Sequence, residues 1–234
     1  MYSNWYDAVN TNVTREGQRA DIREAQWVDI KSRLNGKHLL QNASVEAGAA
    51  SISIRCEGTR AMLYGRAESA TPEIWWTDSA DFADDVVRAH AEIYRERGDV
   101  GAIVYGGGAY GNVLVDFGGV IPVLFDEQAR HIGAMQTPAR AVPDVLRSLS
   151  GAGNAVLFNG VPMCIGMTPQ RLMLNAELFE KCAEAFVLAT AAGARVTLLP
   201  WLVRRIAGGR LRKDQRRARE CFAAGVFPPE SRGY

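Results

Sequence analysis

The run Gly101-Ala-Ile-Val-Tyr105-Gly-Gly107-Gly-Ala-Tyr110 drives a short apolar strand straight into three consecutive glycines. Three residues without side chains leave space at a strand end, and that space must be filled by a ligand or by a neighbouring part of the chain. The turn lacks the GxxxxGK[ST] spacing and the lysine of a phosphate loop, so a nucleotide is not its expected occupant. A second apolar segment, Ala155-Val-Leu-Phe-Asn-Gly160-Val-Pro-Met-Cys-Ile-Gly166, reads as a strand pair joined at Asn159-Gly160-Val161-Pro162.

The remaining elements follow from periodicity and punctuation. Ile22, Trp27, Ile30, Leu34 and Leu39 recur at helix-like spacing from about Asp21 to Leu40. Ser51-Ile-Ser-Ile-Arg55 alternates with period 2, and with Arg60–Tyr64 it predicts a hairpin. Trp75–Asp78 predicts a short strand, and Asp78 or Ser79 is the expected cap of a helix running to about Arg97. Further along, Tyr110–Phe117 and Val142–Leu149 read as short helices, and Val120–Phe125 as a strand. Thr168-Pro169 opens a long helix to Ala192, and Arg204–Phe222 forms a terminal helix with eight basic residues and one Asp between 204 and 219. Residues 1–18 are polar and aperiodic and read as an arm. Residues 19–234 are expected to form a single domain with a basic helix and tail at its end.

The 27 basic and 26 acidic residues leave a formal charge of +1, which supplies no global attraction to nucleic acid or an anionic membrane. No stretch approaches the roughly 18 apolar residues of a membrane span. Cys56, Cys164, Cys182 and Cys221 are widely spaced, without a CxxC pair, which suits reduced thiols and a cytoplasmic setting.

Six segments in order resemble the class II aldolase/adducin family: Ser51–Arg55, His90-Ala-Glu-Ile-Tyr94, Asp99–Tyr105, Gly119–Gly133, Gly166-Met-Thr-Pro169 and Glu177–Ala183. The resemblance covers roughly residues 20 to 205. It implies a three-layer α/β/α fold with a central mixed, mainly antiparallel sheet, and a homotetramer with its active site at a subunit boundary, where Phe227–Tyr234 could complete a neighbour's pocket. Family members hold a divalent metal through a His-x-His pair and a His-Gly. Here those positions fall on Tyr105, Gly107 and Gly160. The family's catalytic Glu aligns with Val86, beside Asp84 and Asp85, and its phosphate-cradling Gly-Asn aligns with Ala50-Ser51.

The resemblance therefore implies a metal-independent protein with no cofactor. The expected function is acid/base chemistry, of lyase, decarboxylase, isomerase or cyclase type, on a small non-phosphorylated oxo or aromatic substrate. Tyr105, Asp85, Glu127 and His131 are the candidate catalytic groups, and Tyr110, Ser51, Gly107, Asn159 and Gly160 the candidate substrate contacts. Glu127 and His131 stand at i, i+4 on one helical face, where the carboxylate would raise the imidazole; an ordinary helix start explains them equally. Tyr105 and Tyr110 either donate to a substrate oxyanion or fill the space of the missing metal. Asp84 and Asp85 either act chemically or complement the helix dipole. His90 on its apolar helix face reads as a buried imidazole bonded to backbone, and Cys164 as core. The alternative function is a non-catalytic, adducin-like assembly protein. An open polar cavity under Gly106–Gly108 would favour the enzyme, and a filled one the scaffold.

Overall fold

A computed structural model describes residues 21–41, 48–82 and 84–230. The expected arm and the end of the tail lie outside the described residues. Helix α1 covers residues 21–36 and buries Trp27, Ile30 and Leu34, the i, i+3, i+7 positions of its apolar face. Ile22, at the start, remains exposed.

Strands β1 (Ser51–Cys56) and β2 (Ala61–Arg66) form the expected antiparallel hairpin, and β3 (Glu73–Trp76) adds to its outer edge. The Trp27 indole donates to the Ile52 carbonyl at 3.0 Å. The ring also lies where a Cβ on Gly65 would stand, so β2 needs a glycine there. Helix α2 (Asp85–Glu96) starts later than expected. Its cap is Asp84, whose Oδ1 accepts from Val86 and Val87 N–H at 2.8 and 2.9 Å, whereas Ser79 closes a turn back onto the Trp76 carbonyl.

Strand β4 (Ala102–Tyr105) leads into the glycine turn, followed by α3 (Ala109–Val113) and a 3₁₀ turn over Leu114–Phe117. Val120–Phe125 is not a strand. Pro122 has no N–H to donate. The Ile121 and Pro122 carbonyls accept from the Gln128 amide, and Leu124 N–H donates to Gln128 Oε1, so these groups are satisfied by a side chain rather than a ladder. Helices α4 (Asp126–His131) and α5 (Val142–Leu149) precede the hairpin of β5 (Ala155–Phe158) and β6 (Val161–Gly166). Thr168 caps α6 (Pro169–Ala191), accepting from Arg171 N–H at 3.1 Å, and α7 (Trp201–Ala223) closes the described chain.

The sheet order is β3-β2-β1-β4-β6-β5, and every strand pairing is antiparallel. One parallel bridge, Ala139 to Phe158, covers the β5 edge. Alternation sorts the faces. Ile52, Ile54, Ala102, Val104, Leu157 and Cys164 pack with α1 and α6, while Ile103, Tyr105, Val156, Phe158, Met163 and Ile165 pack with α2 and α5. The result is the expected α/β/α sandwich. Among the described residues no helix is long and apolar enough to cross a membrane.

The packing predicts that Gly65→Ala lowers stability by about 1–3 kcal/mol in urea unfolding, because the added methyl displaces the Trp27 ring. Gly36→Ala, whose added methyl would meet nothing within 4 Å, should change stability by less than about 1 kcal/mol or raise it.

Candidate functional site

The end of β4 is closed. Gly106–Gly108 are all buried. A Cβ on Gly107 would stand 2.6 Å from Pro162 Cγ, and one on Gly108 would stand 2.5 Å from the Glu180 carboxylate. That carboxylate, carried by α6, accepts from Gly108 N–H at 3.1 Å, Tyr110 N–H at 2.7 Å and Gly111 N–H at 3.0 Å. The glycine turn thus forms an anion-binding nest at the start of α3, and the protein supplies the anion itself. Gly107 is occupied on both sides, exchanging backbone hydrogen bonds with Gln41 at 2.9 and 3.1 Å. The space expected for a ligand is filled by Pro162 and Glu180.

Tyr105 is fully buried on the α2 face, its ring 6.0 Å from that of Phe158 and its hydroxyl donating to the Phe158 carbonyl at 3.4 Å. Burial, then the charges of Asp84 and Tyr64, push its phenol well above the usual tyrosine range. Tyr110 packs on the opposite face, against the α1/α6 core, so the two tyrosines do not flank one pocket. Asn159 and Gly160, with φ of 51° and 80°, are the two turn residues between the closing pair Phe158 and Val161. Asn-Gly is the sequence such a two-residue hairpin favours, which accounts for both without a ligand. A buried phenol and two glycines make no donor set for a metal. Among the described residues no group of three His, Cys, Asp or Glu side chains is arranged to hold a metal ion.

Asp85 turns outward and pairs with Arg88 at 3.3 Å, both side chains well exposed. Its neighbour Asp84 is half-exposed: besides capping α2, it accepts from Arg66 at 2.9 Å, and its charge acts on Tyr64, His90 and Tyr105. Glu127 and His131 lie elsewhere. Tyr105 pairs with Ser51 and Met163 at one end of the sheet, whereas the His131 carbonyl accepts from Asn154, just before β5, at the other. Glu127 is exposed, and His131 Nδ1 meets Arg171 Nη1 at 2.6 Å. Burial and then the Arg171 and Arg130 charges pull His131 down to about 4, the opposite of the rise expected from Glu127. The proposed acid/base pair is corrected to a neutral imidazole accepting from an arginine.

What the structure assembles instead is a buried polar chain. Ser51 and Ser53 are fully buried on the α2 face of β1. His90 Nδ1 meets Ser53 Oγ at 2.8 Å, Nε2 approaches Ser51 Oγ at 3.5 Å, and Ser53 Oγ also bonds Tyr94 Oη at 2.9 Å. The Tyr64 ring stands edge-on to His90 at 5.3 Å. Burial pushes the Tyr64 phenol up, opposed by hydrogen bonding to Ser51, and Arg66 lies within reach of its hydroxyl. The chain Tyr94, Ser53, His90, Ser51, Tyr64 therefore runs to the half-exposed Arg66–Asp84 pair. Burial pulls His90 down to about 3 against the Asp84 charge, so it stays neutral. Its partners are serine hydroxyls, not backbone. The sequence signal was present in Ser-x-Ser on one strand face opposite His-x-x-x-Tyr on one helix face. Burial also raises the thiols, Cys56 to about 11, Cys182 to about 12 and Cys164 further, in keeping with core cysteines.

Glu180→Ala strands three N–H groups and should cost about 2–4 kcal/mol in urea unfolding, with Glu180→Gln costing less. A histidine whose folded pKa is depressed stabilises the fold above its unfolded value of 6.5 and loses that contribution as pH falls. Wild-type stability should thus drop by about 2 kcal/mol from His90 alone between pH 7 and pH 5. In His90→Gln that part of the pH slope should vanish.

No protein-family model matches the chain, and no curated protein matches it. Solved structures do. An L-fuculose 1-phosphate aldolase superposes with a TM-score of 0.66 at 15% identity, over 81% of this chain and 96% of that one. YgbL from Klebsiella pneumoniae, an aldolase/epimerase/decarboxylase candidate, gives 0.64 at 16% identity, over 81% and 98%. An aldolase II superfamily protein from Pseudomonas syringae gives 0.54 at 12% identity, over 80% and 85%. With its antiparallel six-stranded sheet and flanking helices, the chain has the class II aldolase-like fold.

Proposed function

We propose that the chain is a metal-independent enzyme that performs acid/base chemistry, of lyase, decarboxylase, isomerase or cyclase type, on a small non-phosphorylated oxo or aromatic substrate. The observation that supports this reading is the buried chain from Tyr94 through His90 and Ser51 to Tyr64, ending at Arg66 and Asp84. Burying so many polar groups in one file is costly unless each is paired, and here they pair with one another toward an accessible ion pair.

In the proposed step Asp84 takes a proton from the carbon next to a substrate carbonyl. The electron pair of that C–H bond moves to oxygen, where the Arg66 guanidinium and the neutral Tyr64 phenol balance the charge. Returning the proton to the opposite face of that carbon, or to the former carbonyl carbon, completes an isomerisation; if instead the enolate re-forms the carbonyl while the bond to a leaving group on the next carbon breaks, that group departs with the bonding pair, takes the proton from Asp84, and the step is a lyase reaction. Neutral His90 orients the two serine hydroxyls and is a positioning residue. Tyr105 packs beneath the file and Asp85 stands outside it, so their proposed roles pass to Tyr64 and Asp84. A cytoplasmic setting belongs to the same proposal, supported by four free cysteines.

The second reading, an assembly protein, is favoured by the closed glycine turn. It is also favoured by the exposed apolar side chains of Leu198, Trp201, Leu202 and Ile206 around the start of α7, which suit a homo-oligomer contact.

Exchange of substrate protons for deuterium separates the two. Purified protein in D₂O, offered non-phosphorylated 2-oxo acids, hydroxyketones and hydroxyaryl ketones, should bleach the NMR signal of the acidic C–H of at least one. Exchange should fall about 10²–10⁴-fold in Asp84→Asn and Arg66→Gln and survive EDTA. Unchanged exchange in both variants would remove the site assignment, and loss on chelation would remove metal independence. No exchange with any compound, together with an oligomer that Trp201→Glu dissociates in light scattering, would establish the scaffold.

A further inference from the structure

A cleft of about 500 Å³ lies at the far end of the sheet from Ser51 and Tyr105, between α7 and the segment joining α5 to β5. Its floor is the buried pair Arg97 and Asp99, joined twice at 2.8 and 2.7 Å. The other N–H groups of Arg97 go to the Leu149 and Gly153 carbonyls and to Asn154 Oδ1. The floor is therefore neutral, rigid and without spare donors.

The wall is different. On α7 the buried positions Leu211, Gln215 and Ala218 form the seam against the body, and each is followed by an exposed arginine: Arg212, Arg216 and Arg219. Their i, i+4 and i, i+7 spacing lines three guanidiniums along one edge of the cleft, neighbours about 5–6 Å apart at Cβ. Arg219 only approaches Asp99, at 3.7 Å. Among the described residues Arg212 and Arg216 make no ion pair, and Asp214 between them is engaged with Arg130 at 2.5 Å. Four guanidiniums and one carboxylate line the cleft, leaving three positive charges uncompensated in a chain whose net charge is +1.

We infer that this cleft binds a small anion carrying two or more phosphate groups, held by Arg212, Arg216 and Arg219. Adjacent guanidiniums present paired N–H donors that match the oxygens of neighbouring phosphates, and the bound charge relieves the repulsion along the helix. The volume suits a small molecule. No aromatic side chain lines the cleft, so bases of a single-stranded nucleic acid would find nothing to stack on. The site is independent of the proposed catalytic file.

Calorimetric titration of the full chain with inorganic pyrophosphate in low salt tests the inference. Saturable binding of one equivalent per chain is expected. It should weaken at least about tenfold in Arg216→Ser and about a hundredfold in Arg212→Ser/Arg216→Ser, and stay unchanged in Arg60→Ser, an exposed arginine outside the cleft. Circular dichroism of each variant checks that it is folded. Equal affinity in wild type and the double variant, or no saturable binding, would overturn the inference. Binding to single-stranded DNA that tightens with strand length, without pyrophosphate binding, would overturn it in favour of a nucleic-acid surface.

Discussion

The Glu180 carboxylate holds the glycine turn in place. By collecting the N–H groups of Gly108, Tyr110 and Gly111 it ties the middle of α6 to the point where β4 ends and α3 begins. Pro162 closes the same turn from the β5–β6 hairpin side, standing where any side chain on Gly107 would be. These contacts bind helix layer, central strand and neighbouring hairpin in one place, and they turn a strand end that resembles a metal site into packed interior. The buried polar groups lie on the other face of the sheet, where Ser51, Ser53, His90 and Tyr64 stand in file under α2.

Separating the two faces explains why residues close in sequence do different work. Tyr105 and Tyr110 are five positions apart yet lie on opposite sides of the sheet, because the chain crosses it at the glycine turn. Asp84 and Asp85 are adjacent yet one caps the helix and faces the file while the other pairs with Arg88 in solvent. Asp84 is the extended residue before the helix and folds its carboxylate back over the first turn, whereas Asp85 is the first helical residue and points away, so the two side chains part.

Much of the fold was legible because it rests on local chemistry. The Thr168-Pro169 start of α6, the period-2 run of β1 and the α5 span Val142–Leu149 all appear where propensity and capping place them. Local chemistry misled where one particular side-chain partner decided the outcome. Val120–Phe125 has strand composition, but Gln128 satisfies its backbone. The α2 cap could have been any of several acidic or hydroxyl residues, and only the bonds to Asp84 select among them.

The site was less legible than the fold for the same reason. Glu127 and His131 have the spacing of a pair, but the residue that reaches the imidazole, Arg171, is 40 positions away. Glu180 carried no sequence mark linking it to a turn 70 residues earlier. The most direct measurement of the closed turn is amide hydrogen exchange by NMR at Gly108, Tyr110 and Gly111. Slow exchange in the wild type that becomes fast in Glu180→Gln is the expected result. Fast exchange at all three in the wild type would mean an open, water-filled turn and would contradict the closure on which this reading of the molecule depends.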